Sequence, residues 1–397
     1  MDLVRLHGVP VPLIHSYSAD ANNSVGAEYI IMEKVRGKTL RDLWYGLSEK
    51  ERIRVLSEIV AIEAKLFAMV LPAYGSVYYD RDLPNSVARL PIVTAVSPAG
   101  FCMGPNASSR YWYEERSAMD LDRGPHTTSA RLMQAAAEKE SQWFRQYGSP
   151  RLPLDIVYRE FTNYQTSQPE EHLQSLERYL QIAPQLVPTQ DWLQMPTLRH
   201  PDLQPNNIFV SEDFRVTSLI DWQHGMVRPL FLCAGVPRYF QNYGDEESEN
   251  LVKPSLPENL AELDEDDREL AVEQFRRRHL HFYYLGATAT LNNSHLQACM
   301  FESGLFRRKI FDHAGEPWEG NNIPLKADLQ EAADATLEKL RGFIGISSDG
   351  WVSNDRYEHA VQQAALMKKR VTEYAESDFE RAMTEAHWPF DDHNEKE

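Results

Sequence analysis

The stretch Thr197–His224, TLRHPDLQPNNIFVSEDFRVTSLIDWQH, decides the fold. It holds His200-Pro201-Asp202, then Asn207 five residues past the aspartate, then an apolar run ending in Ile220-Asp221-Trp222. Two short apolar segments, Ile208-Phe209-Val210 and Val216 to Ile220, flank the polar turn Ser211-Glu212-Asp213. That is the signature of a β-hairpin. Pairing two antiparallel strands about the turn returns the end of the second to the start of the first, so Asn207 and Asp221 become near neighbours. Asp202 sits in the loop that feeds the hairpin. One amide and two carboxylates therefore converge on one spot.

These residue types suit phosphoryl transfer. Magnesium takes oxygen ligands, commonly one or two from the protein and the rest from phosphates and water, and Asn207 and Asp221 could supply them. Asp202 could accept the proton of an attacking hydroxyl, leaving the protein little to do beyond positioning. The plain alternative is a structural Asp/Asn turn with no chemistry.

The H-x-D-x-x-x-x-N spacing from His200 to Asn207, followed by the strand-terminal Asp221, resembles the catalytic-loop and metal-binding signature of kinases. The chain is similar to the aminoglycoside phosphotransferase family within the protein-kinase-like superfamily, above all to the fungal phosphotransferase-like proteins named for altered inheritance of mitochondria. Their relatives also replace Asp-Phe-Gly with a segment like Asp221-Trp222-Gln223. The resemblance implies an α+β, protein-kinase-like two-lobe fold with a large, mostly helical C-terminal lobe. It implies ATP and Mg2+ as cofactors, Asp202 as the catalytic base, and Asn207 and Asp221 as metal ligands. His200 and His224 would be structural support. Gln204 stands where protein kinases carry lysine, which tilts the acceptor toward a small hydroxyl compound.

Upstream, Ala27 to Val35 (AEYIIMEKV) reads as a short strand, followed by a loop at Arg36-Gly37-Lys38 and a helix start at Thr39. Taken alone it is an ordinary strand-to-helix connection. Under the resemblance it becomes the hinge, with adenine against the backbone of Glu33 and Val35 and Met32 behind it. Gly37-Lys38-Thr39 is no P-loop, because Met32 stands where a glycine is needed. Ser48 and Glu51 form a capping box opening a long amphipathic helix that Pro72 terminates. Asp80 to Pro125, with its aromatic cluster Tyr111-Trp112-Tyr113, reads as surface loop or as part of a substrate site, with loop preferred. Helices are expected at Ser129 to Tyr147, from Pro169 through Leu186 with Pro184 able to end it early, and then at Arg268 to Leu291, Asp328 to Gly342 and Asn354 to Met383. Pro229 to Tyr243 is apolar and should pack beneath the site. Asp245 to Asp267 reads as a solvated acidic loop.

A chain of 397 residues with 42% hydrophobic and 25% charged residues has the composition of a globular protein. A formal charge of -18 argues against nucleic acid or an anionic membrane as main partner and is compatible with a cationic or neutral substrate. Three separated cysteines and no membrane-length apolar run suggest an intracellular location, cytoplasmic or mitochondrial.

A kinase-like small lobe needs a phosphate-covering loop, a lysine on its third strand and a helix glutamate to hold that lysine. The first lysine here is Lys34, and only 26 residues precede Ala27. Asp2 to Leu6 looks like the end of the missing helix. The expected layout is thus a small-lobe remnant with hinge over 1–35, a helical large lobe over 36–390 carrying the hairpin 197–224, and a disordered tail over 391–397. A partner could cover the incomplete small lobe. Two functions stay open: an ATP/Mg-dependent phosphotransferase acting on a small-molecule hydroxyl, or a catalytically dead kinase-like protein that binds nucleotide or regulates.

Overall fold

The computed structural model describes residues 1–93, 100–344, 352–353, 356–375, 381–382, 384–385 and 388–390. It divides into two units, Met1–Leu325 and Lys326–Glu397. The first contains the hairpin. Its scaffold is the helix Glu49–Phe67, opened by the capping box: the Glu51 amide donates to Ser48 Oγ and the Ser48 amide donates to the Glu51 carboxylate at 2.7 Å. Val55, Leu56, Ile59, Val60 and Leu66 recur at helical spacing and are all buried. This face packs along a second long helix, Glu265–Leu291.

One polar residue interrupts the apolar stripe. Glu63 is buried, and its carboxylate meets Arg199 Nε at 2.7 Å and the Tyr284 hydroxyl. Arg199 donates further to the Cys233 carbonyl at 2.8 Å and to the Tyr284 hydroxyl at 2.9 Å. Burial works against the Arg199 charge, and Glu63 more than offsets it, so the guanidinium sits above its ordinary value. Arg199 directly precedes His200. The two long helices thereby grip the base of the Asp202 loop.

The hairpin forms as expected, with Ile208–Val210 antiparallel to Val216–Leu219 and Ile208 opposite Leu219. Lys38–Thr39 adds a third strand beside Val210 and Phe209. Gly37 makes that approach feasible. Its φ is +99°, and a Cβ there would lie 2.3 Å from the Val210 carbonyl oxygen. The strand pair Pro196–Leu198 and Val227–Pro229 closes the base from which the Asp202 loop leaves. Beneath it, Leu230, Phe231, Leu232, Val236 and Phe240 are buried.

The strand expected over 27–35 is shorter, Tyr29–Met32, and pairs with Ile14–Ser18 in a two-stranded sheet whose Ile30 and Ile31 are exposed. Asp2–Leu6 is a short helix that buries Leu3 and Val4. Within the expected loop of 80–125 the structure places two strands, Leu90–Ile92 and Phe101–Gly104, which complete a sheet with Ser76–Tyr79. Each has at most four residues, and two carry proline or glycine, so only pairing across sequence makes them strands. Residues 94–99 of that stretch lie outside the described ones.

Ser129–Tyr147 is helical as expected, and Pro169–Ile182 stops two residues short of Pro184. The acidic segment holds a helical turn, Glu246–Glu249, fixed because Asp245 accepts from Ser248 and pairs with Arg278 at 2.7 Å. Helices at Asn293–Cys299 and Gly304–Gly315 were not foreseen. Two long helices follow, Ile323–Ile344 and Tyr357–Glu373. In the second unit, Ile344, Ala360 and Ala364 are buried together, with Val352 and Phe390 packed on them. The tail 391–397, expected to be disordered, lies outside the described residues. Among these residues no helix is long and apolar enough to cross a membrane.

Candidate active site

The loop Arg199–Asn207 is braced from within. His200 Nε2 lies 2.8 Å from the Ile220 carbonyl, so that nitrogen carries the proton, and Nδ1 accepts from the Asp202 amide at 3.2 Å. Trp222 packs edge-on against the imidazole with ring centroids 4.6 Å apart. Burial holds His200 below its ordinary value, against the pull of the Ile220 carbonyl, so the ring stays neutral. Both nitrogens are spent on joining the loop to the end of the hairpin. His224 lies further out, its Nδ1 3.2 Å from the Ala107 carbonyl.

Asn207 is buried and clamps the aspartate. Its Nδ2 donates to the Asp202 carbonyl at 2.8 Å and to the Asp202 carboxylate at 3.0 Å, and Gln204 donates to the same carboxylate oxygen. Those bonds fix which way the amide points. The Asn207 side-chain oxygen is left without a donor among the described residues. The Ile220 amide donates to the Asn207 carbonyl at 3.0 Å, which ties Asp221 to the same end of the hairpin.

Asp221 is exposed and makes no hydrogen bond or ion pair among the described residues. Its backbone φ is +64°, and His224 follows at +61°. Left-handed backbone at non-glycine residues costs energy and clusters at functional sites. No sequence signal announced it. Two hard oxygen donors, one amide and one carboxylate, are thus free at one end of the hairpin. That set fits a magnesium ion sharing its shell with phosphates. It lacks the third protein ligand of a self-sufficient site, and among the described residues no group of three or more His, Cys, Asp or Glu is placed to hold a metal.

On the expected hinge, the Glu33 amide donates to the Leu13 carbonyl at 2.8 Å. Val35 keeps its backbone N–H and C=O unpaired among the described residues. Met32 is exposed at the end of its strand. The Arg36 carbonyl accepts from Thr217 Oγ1 at 2.9 Å, so the segment leaving the hinge lies against the hairpin.

Asp202 is exposed at the wall of a cavity of about 900 Å3, shared with Tyr45, Arg238, Tyr239, Arg276 and Arg277. Sequence reasoning missed this wall. Its residues are far apart in the chain and none carries a motif.

A helical body, a braced aspartate loop and a hairpin ending in Asp221 define a kinase-like protein. The chain belongs to the phosphotransferase enzyme family, whose family model matches residues 1–231. It is 28% identical to a subtelomeric hrmA-associated cluster protein of Aspergillus fumigatus, over 99% of this chain and 88% of that one. It is 23% identical to the altered inheritance of mitochondria protein 9, mitochondrial, of Kluyveromyces lactis, over 96% and 70%. Among solved structures it resembles the aminoglycoside phosphotransferase APH(4)-Ia in complex with AMP-PNP and hygromycin B. That match has 16% identity over 79% of this chain and 81% of the other, and its TM-score of 0.31 is too low to transfer any geometry.

Proposed function

We propose that this chain transfers the γ-phosphoryl group of ATP to a hydroxyl of a small molecule, with Asp202 as base and Asn207 and Asp221 as magnesium ligands. The observation that carries the reading is the Asn207 amide: its nitrogen clamps Asp202 while its oxygen has no donor among the described residues, and the Ile220 amide on the Asn207 carbonyl ties the strand end that leads to Asp221, itself unpaired among them, to the same residue. The acceptor hydroxyl gives its proton to the Asp202 carboxylate. Its oxygen forms a bond to the γ-phosphorus as the bond to the β,γ-bridging oxygen breaks, and ADP leaves with that electron pair. Bound magnesium supplies charge neutralisation on the phosphate oxygens. The unpaired Val35 backbone offers the donor and acceptor that an adenine edge needs, with Glu33 beside it and Met32 at the strand end.

A nucleotide-binding protein without turnover is the second reading.

The test is a thermal melt with ATP, with and without magnesium, paired with ADP release in the presence of hydroxyl compounds. Asp221→Ala should abolish the magnesium-dependent stabilisation. Asp202→Asn should keep it and lower transfer by about 10^2- to 10^4-fold, because a base acts in the transition state. Equal loss of stabilisation in both variants refutes the assignment of roles. Stabilisation with no ADP release selects the second reading.

A further inference from the structure

The wall facing Asp202 has a charge opposite to that of the chain as a whole. The protein carries a formal charge of -18, yet the cavity of about 900 Å3 is lined by Arg238, Arg276 and Arg277 against two carboxylates, Asp202 and Glu273. Arg199 also reaches it but is committed to Glu63. Glu273 is fully used: Oε2 accepts from Arg276 Nε at 2.7 Å, and Oε1 accepts from Arg276 Nη2 at 2.6 Å and Arg277 Nε at 2.9 Å. One negative charge thus serves two guanidinium groups. The two arginines hold that carboxyl down at about 2, Arg276 foremost, so it stays ionised.

The donors on this wall outnumber their acceptors. Arg276 Nη1 is buried with no partner among the described residues. Arg238 is exposed and makes no ion pair or hydrogen bond among them. Unpaired guanidinium groups beside a cavity are the usual means of binding carboxylate or phosphate, because their planar forks match both anions. Two aromatic rings complete the wall. Tyr45 is 77% exposed, with the Arg276 guanidinium 5.5 Å from its ring centre, and Tyr239 is exposed beside it. Flat faces next to cations suit a small polyhydroxylated anion.

Resting on the assignment of Asp202 as base, we infer that the phosphate acceptor is itself an anion: a small hydroxyl compound bearing a phosphate or carboxylate group, held by Arg238 and Arg277 with its hydroxyl toward Asp202. A polyamine-like acceptor would meet like charge in the same cavity. Three guanidinium groups against the two carboxylates of Asp202 and Glu273 leave an excess of one positive charge, which disfavours it.

The test uses the full chain with ATP and magnesium and reads ADP release. The acceptors are glycerol 3-phosphate and glycerate, set against glycerol and ethanolamine. The anionic pair should be preferred by at least about ten-fold in kcat/KM, and the double variant Arg238→Gln/Arg277→Gln should raise their KM by at least about ten-fold, the least expected when charge-assisted contacts are lost. KM for ATP should move less than about two-fold. Preference for phosphate over carboxylate identifies which anion the site is built for. Equal or better use of glycerol or ethanolamine overturns the inference, as does an unchanged acceptor KM in the double variant. Calorimetric titration with glycerol 3-phosphate covers the case of no turnover. Binding that weakens by at least about ten-fold in the double variant upholds the anion site even if ATP binding fails and the phosphotransferase reading falls with it. No binding, or equal binding, sinks the inference while leaving that reading intact.

Discussion

Glu63→Gln should unsettle both the fold and the Asp202 loop. The substitution keeps the shape and removes one charge from a pair whose side chains are 2% and 16% exposed, Glu63 and Arg199 respectively. Arg199 would retain the Cys233 carbonyl and the Tyr284 hydroxyl but no counter-charge. Breaking one side of a buried pair costs about 3–5 kcal/mol, because the remaining charge is left desolvated. At a slope of about 3 kcal/mol per molar urea, the midpoint should fall by about 1 M or somewhat more. The assay is urea unfolding followed by tryptophan fluorescence, with the slope checked to be unchanged. The double variant Glu63→Leu/Arg199→Met should lose less than Glu63→Gln alone, since replacing both ions with apolar groups avoids the orphaned charge. A loss under about 1 kcal/mol, or a double variant that loses as much as Glu63→Gln or more, would show that water reaches the pair and that the grip on His200 lies elsewhere.

Two further outcomes are accessible by simple measurements. His172 is buried with both nitrogens unpaired among the described residues, packed on Phe144 at 5.3 Å, and burial drives it down to about 4 with Glu140 opposing. A lowered base stabilises the fold above its unfolded value near 6.5 and loses that contribution as pH falls toward 4. His172→Phe should therefore match or trail the parent at pH 7.5 and gain about 2–3 kcal/mol on it at pH 4.5, and a constant difference across that window would refute the assignment. Gly37→Ala should destabilise by about 1–3 kcal/mol, since φ is +99° and the new Cβ would collide with the Val210 carbonyl; a neutral melting temperature would mean that the third strand yields freely.

What could be read in the sequence was whatever is contiguous. Ser48 with Glu51, and His200 through Asp221, are short runs whose spacing encodes their own geometry, and the structure reproduces the cap and the hairpin; that Asn207 would bond Asp202 itself was not legible there. What escaped was assembled from a distance. Leu90–Ile92 and Phe101–Gly104 become strands only by pairing in one sheet with Ser76–Tyr79. Glu63 stood in plain view as a carboxylate within an apolar stripe, a signal that it needs a buried partner. Its partner Arg199 is 136 residues away, however, and no local pattern links the two.

The cavity beside Asp202 is the strongest case of this kind, and it bears on how little net charge alone says about a substrate. Tyr45, Arg238, Arg276 and Arg277 come from three separate parts of the chain and meet only in the fold. The formal charge of -18 is compatible with a cationic or neutral substrate but selects none. That charge is spread over a surface of 23205 Å2, and at physiological salt its influence fades beyond about 8–10 Å. A ligand inside a cavity of about 900 Å3 feels the groups on the wall far more than those around the rim of the protein. Among those groups Asp202 is the one the chemistry requires to be negative, and Glu273 is already shared by two arginines. The field that selects an acceptor is therefore set by Arg238, Arg276 and Arg277, and it favours an anion.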